Sequence, residues 1–144
     1  MKRSVLTISI ACFFTVLFLY TGVSKLFDIT LLQEQIASIH ILEPVSYQIS
    51  LIIPIIEISV GLMLLIPNFR EKGMYLSLAL MITFTLYILF LPSKDDVLAC
   101  NCGGIIESLS LKQHLAFDMS CAGLAMLGGL LERKNRLAKK TLTH

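Results

Sequence analysis

The chain has 144 residues, of which 56% are hydrophobic and 15% are charged, and its formal net charge is +2. So small a charged fraction excludes a soluble domain of this length. The absence of a basic face interleaved with aromatic residues excludes a nucleic-acid-binding protein. We therefore expect a single domain over residues 1–144 that is surrounded mainly by lipid.

Four apolar segments follow one another along the chain. Each has about 20 residues, which as a helix spans the roughly 30 Å hydrocarbon core of a bilayer. The segments must be helical because backbone groups in lipid have to satisfy their own hydrogen bonds. The sequence therefore predicts an all-α membrane protein, a four-transmembrane-helix bundle with spans at residues 5–27, 45–66, 73–91 and 111–131.

The first segment has an alternative interpretation as a signal peptide. Lys2 and Arg3 precede it, as basic residues do in signal peptides. The apolar run continues well past Cys12, however, whereas the apolar core of a signal peptide is short and ends at small residues. A retained first helix is the favoured interpretation.

A short amphipathic helix is predicted between the first two spans. Ile29, Leu32, Ile36 and Ile39 recur at helical spacing with polar residues between them, and Pro44 is expected to end this helix. The pattern fits a helix on the outer membrane surface and equally a helix that caps the bundle.

The basic residues predict the orientation of the protein, because cytoplasmic flanks of membrane spans collect Lys and Arg. In a four-pass arrangement, Lys25, Lys94 and Lys112 fall on one side. The other side, predicted to be cytoplasmic, holds Lys2, Arg3, Arg70, Lys72, Arg133, Lys134, Arg136, Lys139 and Lys140. Both termini are then cytoplasmic, and residues 28–44 and 92–110 face outward from a bacterial inner membrane.

The second outward connection contains the sequence Cys100-Asn101-Cys102-Gly103-Gly104. Neighbouring thiols outside the cytoplasm tend to be oxidised or to undergo exchange. A disulfide across one residue is strained and easily reduced, and the glycines leave both sulfurs accessible. A redox-active pair is the favoured hypothesis. The alternatives are a disulfide that braces the loop, or a soft-metal site completed by His40 and His114; we predict no metal.

Cys12 and Cys121 lie well inside predicted helices, where free cysteines behave as small hydrophobic residues. Cys121, Ala125 and Gly129 recur every four residues and form a stripe of small residues that allows close approach of another helix. Packing is the favoured role. A second cysteine pair that relays electrons is the alternative, but Cys12 lies too deep for it.

Two carboxylates occur within the predicted spans, Glu57 in the second and Asp118 in the fourth. Ionised groups there are costly, so they usually face the bundle interior and have partners. Both lie roughly 10–15 Å from the outer helix ends, so they can share one layer. Lys25, near the outer end of the first span, is the predicted partner of Glu57. The alternatives are a structural ion pair and a proton-handling or quinone-contacting site.

With these residues identified, the sequence resembles the DoxX-like superfamily and, within it, the MauE branch. The resemblance covers roughly residues 14–131. It rests on three motifs, Thr21-Gly22-Val23-Ser24-Lys25-Leu26, Glu57-Ile58-Ser59-Val60-Gly61-Leu62 and Cys100-Asn101-Cys102-Gly103-Gly104. Family members usually carry an aromatic residue where this chain has Gly103.

The resemblance implies a four-helix membrane fold that assists disulfide formation or electron delivery for an exported enzyme, alongside a periplasmic thioredoxin-like partner. The architecture is also similar to that of thiol oxidoreductases of the DsbB and vitamin K epoxide reductase kind, which pair outer cysteines with a bound quinone. This analogy allows a quinone here, with Lys25, Glu57 and Asp118 as candidate contacts, although the sequence has no quinone signature.

The sequence thus predicts a membrane thiol–disulfide redox component in which Cys100 and Cys102 carry the chemistry and Cys102 is the attacking thiolate. The alternative is a non-catalytic membrane subunit or assembly factor of a respiratory or exported enzyme complex. Small-molecule transport ranks last, because four helices without an internal repeat would have to form an oligomer to transport.

Overall fold

In the computed structural model, residues 2–90 and 111–141 are described, and all regular structure among them is helical. Four of the helices are long and apolar enough to cross a membrane, so the protein is a multi-pass membrane protein, as predicted. The helices are α1 (Lys2–Phe27), α2 (Ile29–Ala37), α3 (Ser46–Leu65), α4 (Arg70–Phe90) and α5 (Leu111–Thr141), with a 3-10 turn at Glu43–Val45.

Helix boundaries differ from the predicted spans chiefly in the second half of the chain. α4 begins at Arg70 rather than at residue 73, and α5 continues to Thr141 rather than ending at residue 131. The predicted spans followed hydropathy, whereas residues 132–141 are largely charged or polar and include good helix formers such as Glu132, Arg133 and Ala138. α5 therefore extends beyond its apolar part.

α2 is the short amphipathic helix expected between the first two spans. It ends at Ala37 rather than at Pro44, which lies in the following 3-10 turn. Leu32 and Ile36 on its apolar face are 6% and 1% exposed, because α2 packs against α3 and also touches α1. The helix therefore rests on the bundle.

The four long helices pack in the cyclic order α1, α3, α4, α5, and each contacts its two neighbours more extensively than the helix across the bundle. Phe14 and Phe18 of α1 are stacked with ring centroids 5.8 Å apart, and both are fully buried. Leu64, Met74 and Ala125 complete this core from the other three helices. Large apolar side chains on the outward faces remain exposed, as expected for helices that contact lipid.

Polar contacts tie the C-terminal part of α5 to the α3–α4 turn, residues 66–69. Arg136 donates to the carbonyl oxygen of Asn68 at 2.7 Å, and its Nε lies 3.3 Å from Glu71 Oε2. Asn135 Nδ2 lies 3.5 Å from Thr7 Oγ1 near the start of α1. The start of α1, the α3–α4 turn and the end of α5 therefore share one end of the bundle.

Candidate functional site

A buried ion pair joins α1 to α3. Lys25 Nζ donates to Glu57 Oε1, and the two residues are 5% and 0% exposed. The predicted pairing of these two residues is confirmed. The ammonium group also lies 4.3 Å from the centroid of the Phe84 ring on α4, which adds a cation–π contact. The Thr21 hydroxyl lies beside the Glu57 carboxylate, so α1 supplies two polar groups to this carboxylate.

The ion pair depends on close approach of α1 and α3 at Gly22. A Cβ atom at Gly22 would lie 2.9 Å from Ile58 Cγ1, 3.2 Å from the Pro54 carbonyl oxygen and 3.3 Å from Glu57 Cβ. Real side chains do not tolerate the shortest of these distances. The glycine in the Thr21-Gly22-Val23-Ser24-Lys25 motif therefore sets the helix spacing at which Lys25 meets Glu57.

Asp118 of α5 belongs to the same site. It is 5% exposed, lies beside the Thr85 hydroxyl of α4 and is within electrostatic reach of Lys25. His114, one turn earlier on α5 and also 5% exposed, has its Nε2 4.0 Å from Asp118 Oδ2. We call Lys25, Glu57, His114 and Asp118 the charged cluster. The shared layer predicted for Glu57 and Asp118 is confirmed by their common neighbour Lys25.

The charged cluster lines a cavity of about 820 Å³ to which all five helices contribute. This volume lies in the range of small-molecule pockets, which are about 300–1,000 Å³. Apolar side chains make up most of the wall, among them Phe18, Met81 and Phe117. Leu32, Gln35 and Ile36 of α2 also line it, so the short amphipathic helix forms part of the wall.

Within the membrane spans, the cavity reaches the surface between α3 and α4, and it also reaches the surface at Ile41, which is 86% exposed and lies before the second span. Ile56 on α3 and Thr83 and Leu86 on α4 line it and are also exposed at the surface of the bundle. These residues lie within the membrane-spanning segments, so the opening is at the depth of the lipid. Glu57, next to Ile56 in the chain, is fully buried at the inner wall. Exposed side chains of α3 and α4 and the charged cluster therefore line the same cavity.

Two carboxylate oxygens in the cluster have no hydrogen-bond donor. Within the described part of the chain, Glu57 Oε2 and Asp118 Oδ2 are buried and accept no hydrogen bond. An unpaired buried acceptor of this kind costs about 1–3 kcal/mol. Buried polar atoms in proteins nearly always bond to protein or to ordered water, so these two oxygens are the acceptors of the cluster that the protein leaves available.

Several site residues carry no signal in the sequence. Phe84 and Phe117 are ordinary members of apolar helices, and nothing in their spacing distinguishes a cavity wall from a core. His114 did carry a signal, since it precedes Asp118 by four residues and therefore lies on the same face of α5. The sequence-based hypotheses include His114 only as an alternative metal ligand.

The four cysteines have different positions. Cys100 and Cys102 lie outside the described residues. Cys121 is 2% exposed. The stripe of small residues that it forms with Ala125 and Gly129 allows the predicted close approach of another helix, because a Cβ atom at Gly129 would lie 3.3 Å from the Tyr75 ring of α4. Cys12 is exposed on the outer face of α1, so a packing role is wrong for this residue.

The soft-metal alternative receives no support from the described residues. His40 is 99% exposed and lies 3.5 Å from Glu43, whereas His114 is buried in the cavity wall. Within residues 2–90 and 111–141, no group of three or more His, Cys, Asp or Glu residues is arranged to hold a metal ion.

A model of the family described as "Methylamine utilisation protein MauE" matches residues 3–131. The chain belongs to the MauE family. No curated protein and no solved structure matches it. The MauE match includes the charged cluster and both cysteines of the Cys100-Asn101-Cys102 sequence. It ends where the apolar part of α5 ends, so the polar extension of residues 132–141 lies beyond the MauE match.

The quinone allowed by the fold analogy can be tested against the charged cluster. The cavity is large enough for an aromatic ring, and Lys25 offers an ammonium donor to a carbonyl oxygen. Glu57 Oε2 and Asp118 Oδ2 accept no hydrogen bond from the protein. They can therefore accept hydrogen bonds from the hydroxyl groups of a reduced quinone. The residues thus fit this group, with the better match to its reduced form.

Proposed function

We propose that this MauE-family protein is a membrane-anchored thiol–disulfide component that exchanges electrons with a thioredoxin-like protein outside the cytoplasm. The observation that carries the proposal is the pair of cysteines, Cys100 and Cys102, separated by a single residue. A disulfide across such a short loop is strained, and strained disulfides are the reducible and catalytic ones. The two glycines that follow favour access by a partner sulfur.

The helices that flank the cysteine connection support this proposal. Residues 91–110 join α4 to α5, and Ile88 near the end of α4 and His114 near the start of α5 both line the cavity. The connection that carries Cys100 and Cys102 is therefore attached to the bundle at two points on the cavity wall. Because the two helices that this connection joins both line the cavity of the charged cluster, coupling of the thiol chemistry to proton transfer in the cluster is part of the proposal.

The proposed reaction is ordinary thiol–disulfide exchange. The Cys102 thiolate attacks one sulfur of the partner disulfide, which breaks that bond, forms a mixed disulfide and releases the other partner sulfur as a thiolate. The Cys100 thiolate then attacks Cys102, releases the second partner thiolate and leaves a Cys100–Cys102 disulfide. The partner gains two electrons, its two thiolates take up protons from water, and the reverse sequence oxidises the partner.

We further place the protein in the bacterial inner membrane, with both termini in the cytoplasm, and in the DoxX-like superfamily. The excess of Lys and Arg at the end of the bundle formed by the start of α1, the α3–α4 turn and the end of α5 supports this orientation. A green fluorescent protein fused after His144 should fluoresce, and alkaline phosphatase at the same position should be inactive. The opposite result would put the cysteines in a reducing compartment.

The cysteine reaction is tested by trapping. Cys100→Ser should accumulate a dithiothreitol-sensitive adduct with a thioredoxin-fold protein in intact cells quenched with acid, because the resolving thiol is missing. Cys102→Ser lacks the attacking thiol and should accumulate much less of this adduct. Cys12→Ser is the matched control and should behave as wild type, since Cys12 is exposed on α1 and takes no part in the core. A pair that is permanently oxidised by thiol alkylation, with no adduct in either single variant, would refute the proposal.

The alternative function, an assembly factor without redox chemistry, predicts a different result. In that case the double variant Cys100→Ser/Cys102→Ser would support accumulation of the partner enzyme complex as well as wild type does. Loss of the complex in the double variant, with normal amounts of the membrane protein on immunoblots, favours the thiol–disulfide role.

A further inference from the structure

We propose that the cavity binds a membrane-dissolved amphiphile that enters between α3 and α4 and whose head group donates hydrogen bonds to Glu57 and Asp118. The inference rests on the described helices alone and is independent of the chemistry of Cys100 and Cys102. Its basis is a cavity of about 820 Å³ that combines an opening at the depth of the lipid with two buried, unpartnered acceptors.

The position of the opening selects for lipid-soluble molecules. Ile56 and Leu86 at its edges are 42% and 49% exposed, and both lie inside membrane spans, where the surroundings are hydrocarbon. The lining at this opening and at Ile41 is mainly apolar, so a polar solute would lose hydration on its way to the charged cluster, whereas an apolar tail can remain among these side chains. The aliphatic side chains Ile49 and Ile53 of α3 continue this lining.

The cluster selects for a donor head group. Lys25 already donates to Glu57 Oε1 and lies over the Phe84 ring, so the principal cation of the site is engaged. The two carboxylate oxygens without a hydrogen-bond donor, Glu57 Oε2 and Asp118 Oδ2, come from different helices, α3 and α5. Their residues are 0% and 5% exposed. An ammonium group carries enough donors for both oxygens and a single hydroxyl carries a donor for one of them, whereas an anionic head group would be repelled by the carboxylates.

The test uses photoreactive probes on the purified full-length protein in phosphatidylcholine nanodiscs. Three probes share one alkyl diazirine tail and differ in the head, which is a hydroxyl, a primary ammonium or a carboxylate. We expect saturable labelling of the cavity-lining parts of α3 and α4 by the hydroxyl or ammonium probe, at least about tenfold stronger than by the carboxylate probe. The two donor probes distinguish a neutral ligand from a cationic one.

A matched pair of variants tests the route. Ile56→Trp fills the opening and should reduce labelling of the cavity wall about tenfold, whereas Ile55→Trp should not, because Ile55 is 57% exposed on α3 and does not line the cavity. Both substitutions lie on exposed positions, so the fold should tolerate them, and size-exclusion profiles check this. The comparison of probe head groups on the wild-type protein requires no variant.

Three results would overturn the proposal. The first is equal or stronger labelling by the carboxylate probe. The second is equal labelling in Ile55→Trp and Ile56→Trp. The third is a phospholipid that native mass spectrometry detects on the wild-type protein and that only Ile56→Trp loses, since the occupant would then carry a phosphate. Because Cys100→Ser/Cys102→Ser should label as wild type does, failure here is distinct from failure of the cysteine reaction.

Discussion

Removal of Lys25 is the sharpest test of the buried ion pair. Lys25 and Glu57 are 5% and 0% exposed, so loss of the ammonium leaves a carboxylate in the interior without its charge partner. Such losses cost about 3–5 kcal/mol, whereas replacement of both partners by apolar residues is often neutral. Methionine retains the packing of the lysine stem and removes the cation–π contact with Phe84, worth about 0.5–2 kcal/mol.

We therefore expect Lys25→Met to lower the free energy of unfolding by about 3–5 kcal/mol and Lys25→Met/Glu57→Leu to recover most of it. The assay is a titration with sodium dodecyl sulfate from mixed micelles, followed by circular dichroism. Lys112→Met is the control, because Lys112 is an exposed lysine on α5. If Lys25→Met costs no more than Lys112→Met, or if the double variant loses the sum of the two single losses, the ion pair does not contribute as argued.

Two further predictions concern helix contacts. Gly22→Ala should destabilise the protein by about 1–3 kcal/mol in the same titration, because the added Cβ atom would lie 3.2 Å from the Pro54 carbonyl oxygen. Gly123→Ala is the control and should be neutral or slightly stabilising, because a Cβ atom there would meet nothing within 4 Å. Equal effects would contradict the close approach of α1 and α3. Arg136→Ala should speed hydrogen exchange of residues 132–141 more than Arg133→Ala does, since Arg136 holds α5 to Asn68; unchanged exchange would contradict this anchoring.

The fold was largely predictable because apolar segments of about 20 residues directly indicate helices that cross a lipid bilayer. Each predicted span corresponds to one long helix, and the first runs over residues 5–27 in both descriptions. Hydropathy could not give the end of α5, since residues 132–141 leave the apolar part and remain helical through propensity and through contacts of Arg136. The end of α2 at Ala37 depends on local turn geometry rather than on Pro44.

The site was predictable only where an unusual residue marks it. Charges within apolar helices are rare, so Lys25, Glu57 and Asp118 stood out and the pairing of the first two followed from depth alone. The wall around them did not stand out, because Phe84 and Phe117 are typical of any membrane helix. The opening between α3 and α4 is a property of how the helices pack, and a single sequence contains no local pattern that specifies it.

The composition of the charged cluster argues for more than a structural role. Fixing the register of α1 and α3 requires one ion pair, and Lys25 with Glu57 provides it. Asp118 adds a second buried carboxyl group beside the one that Lys25 pairs with, and ionisable groups in a membrane interior are costly. Asp118 lines the cavity and its Oδ2 accepts no hydrogen bond from the protein, so the ligand proposed above would complete the hydrogen bonding of this oxygen.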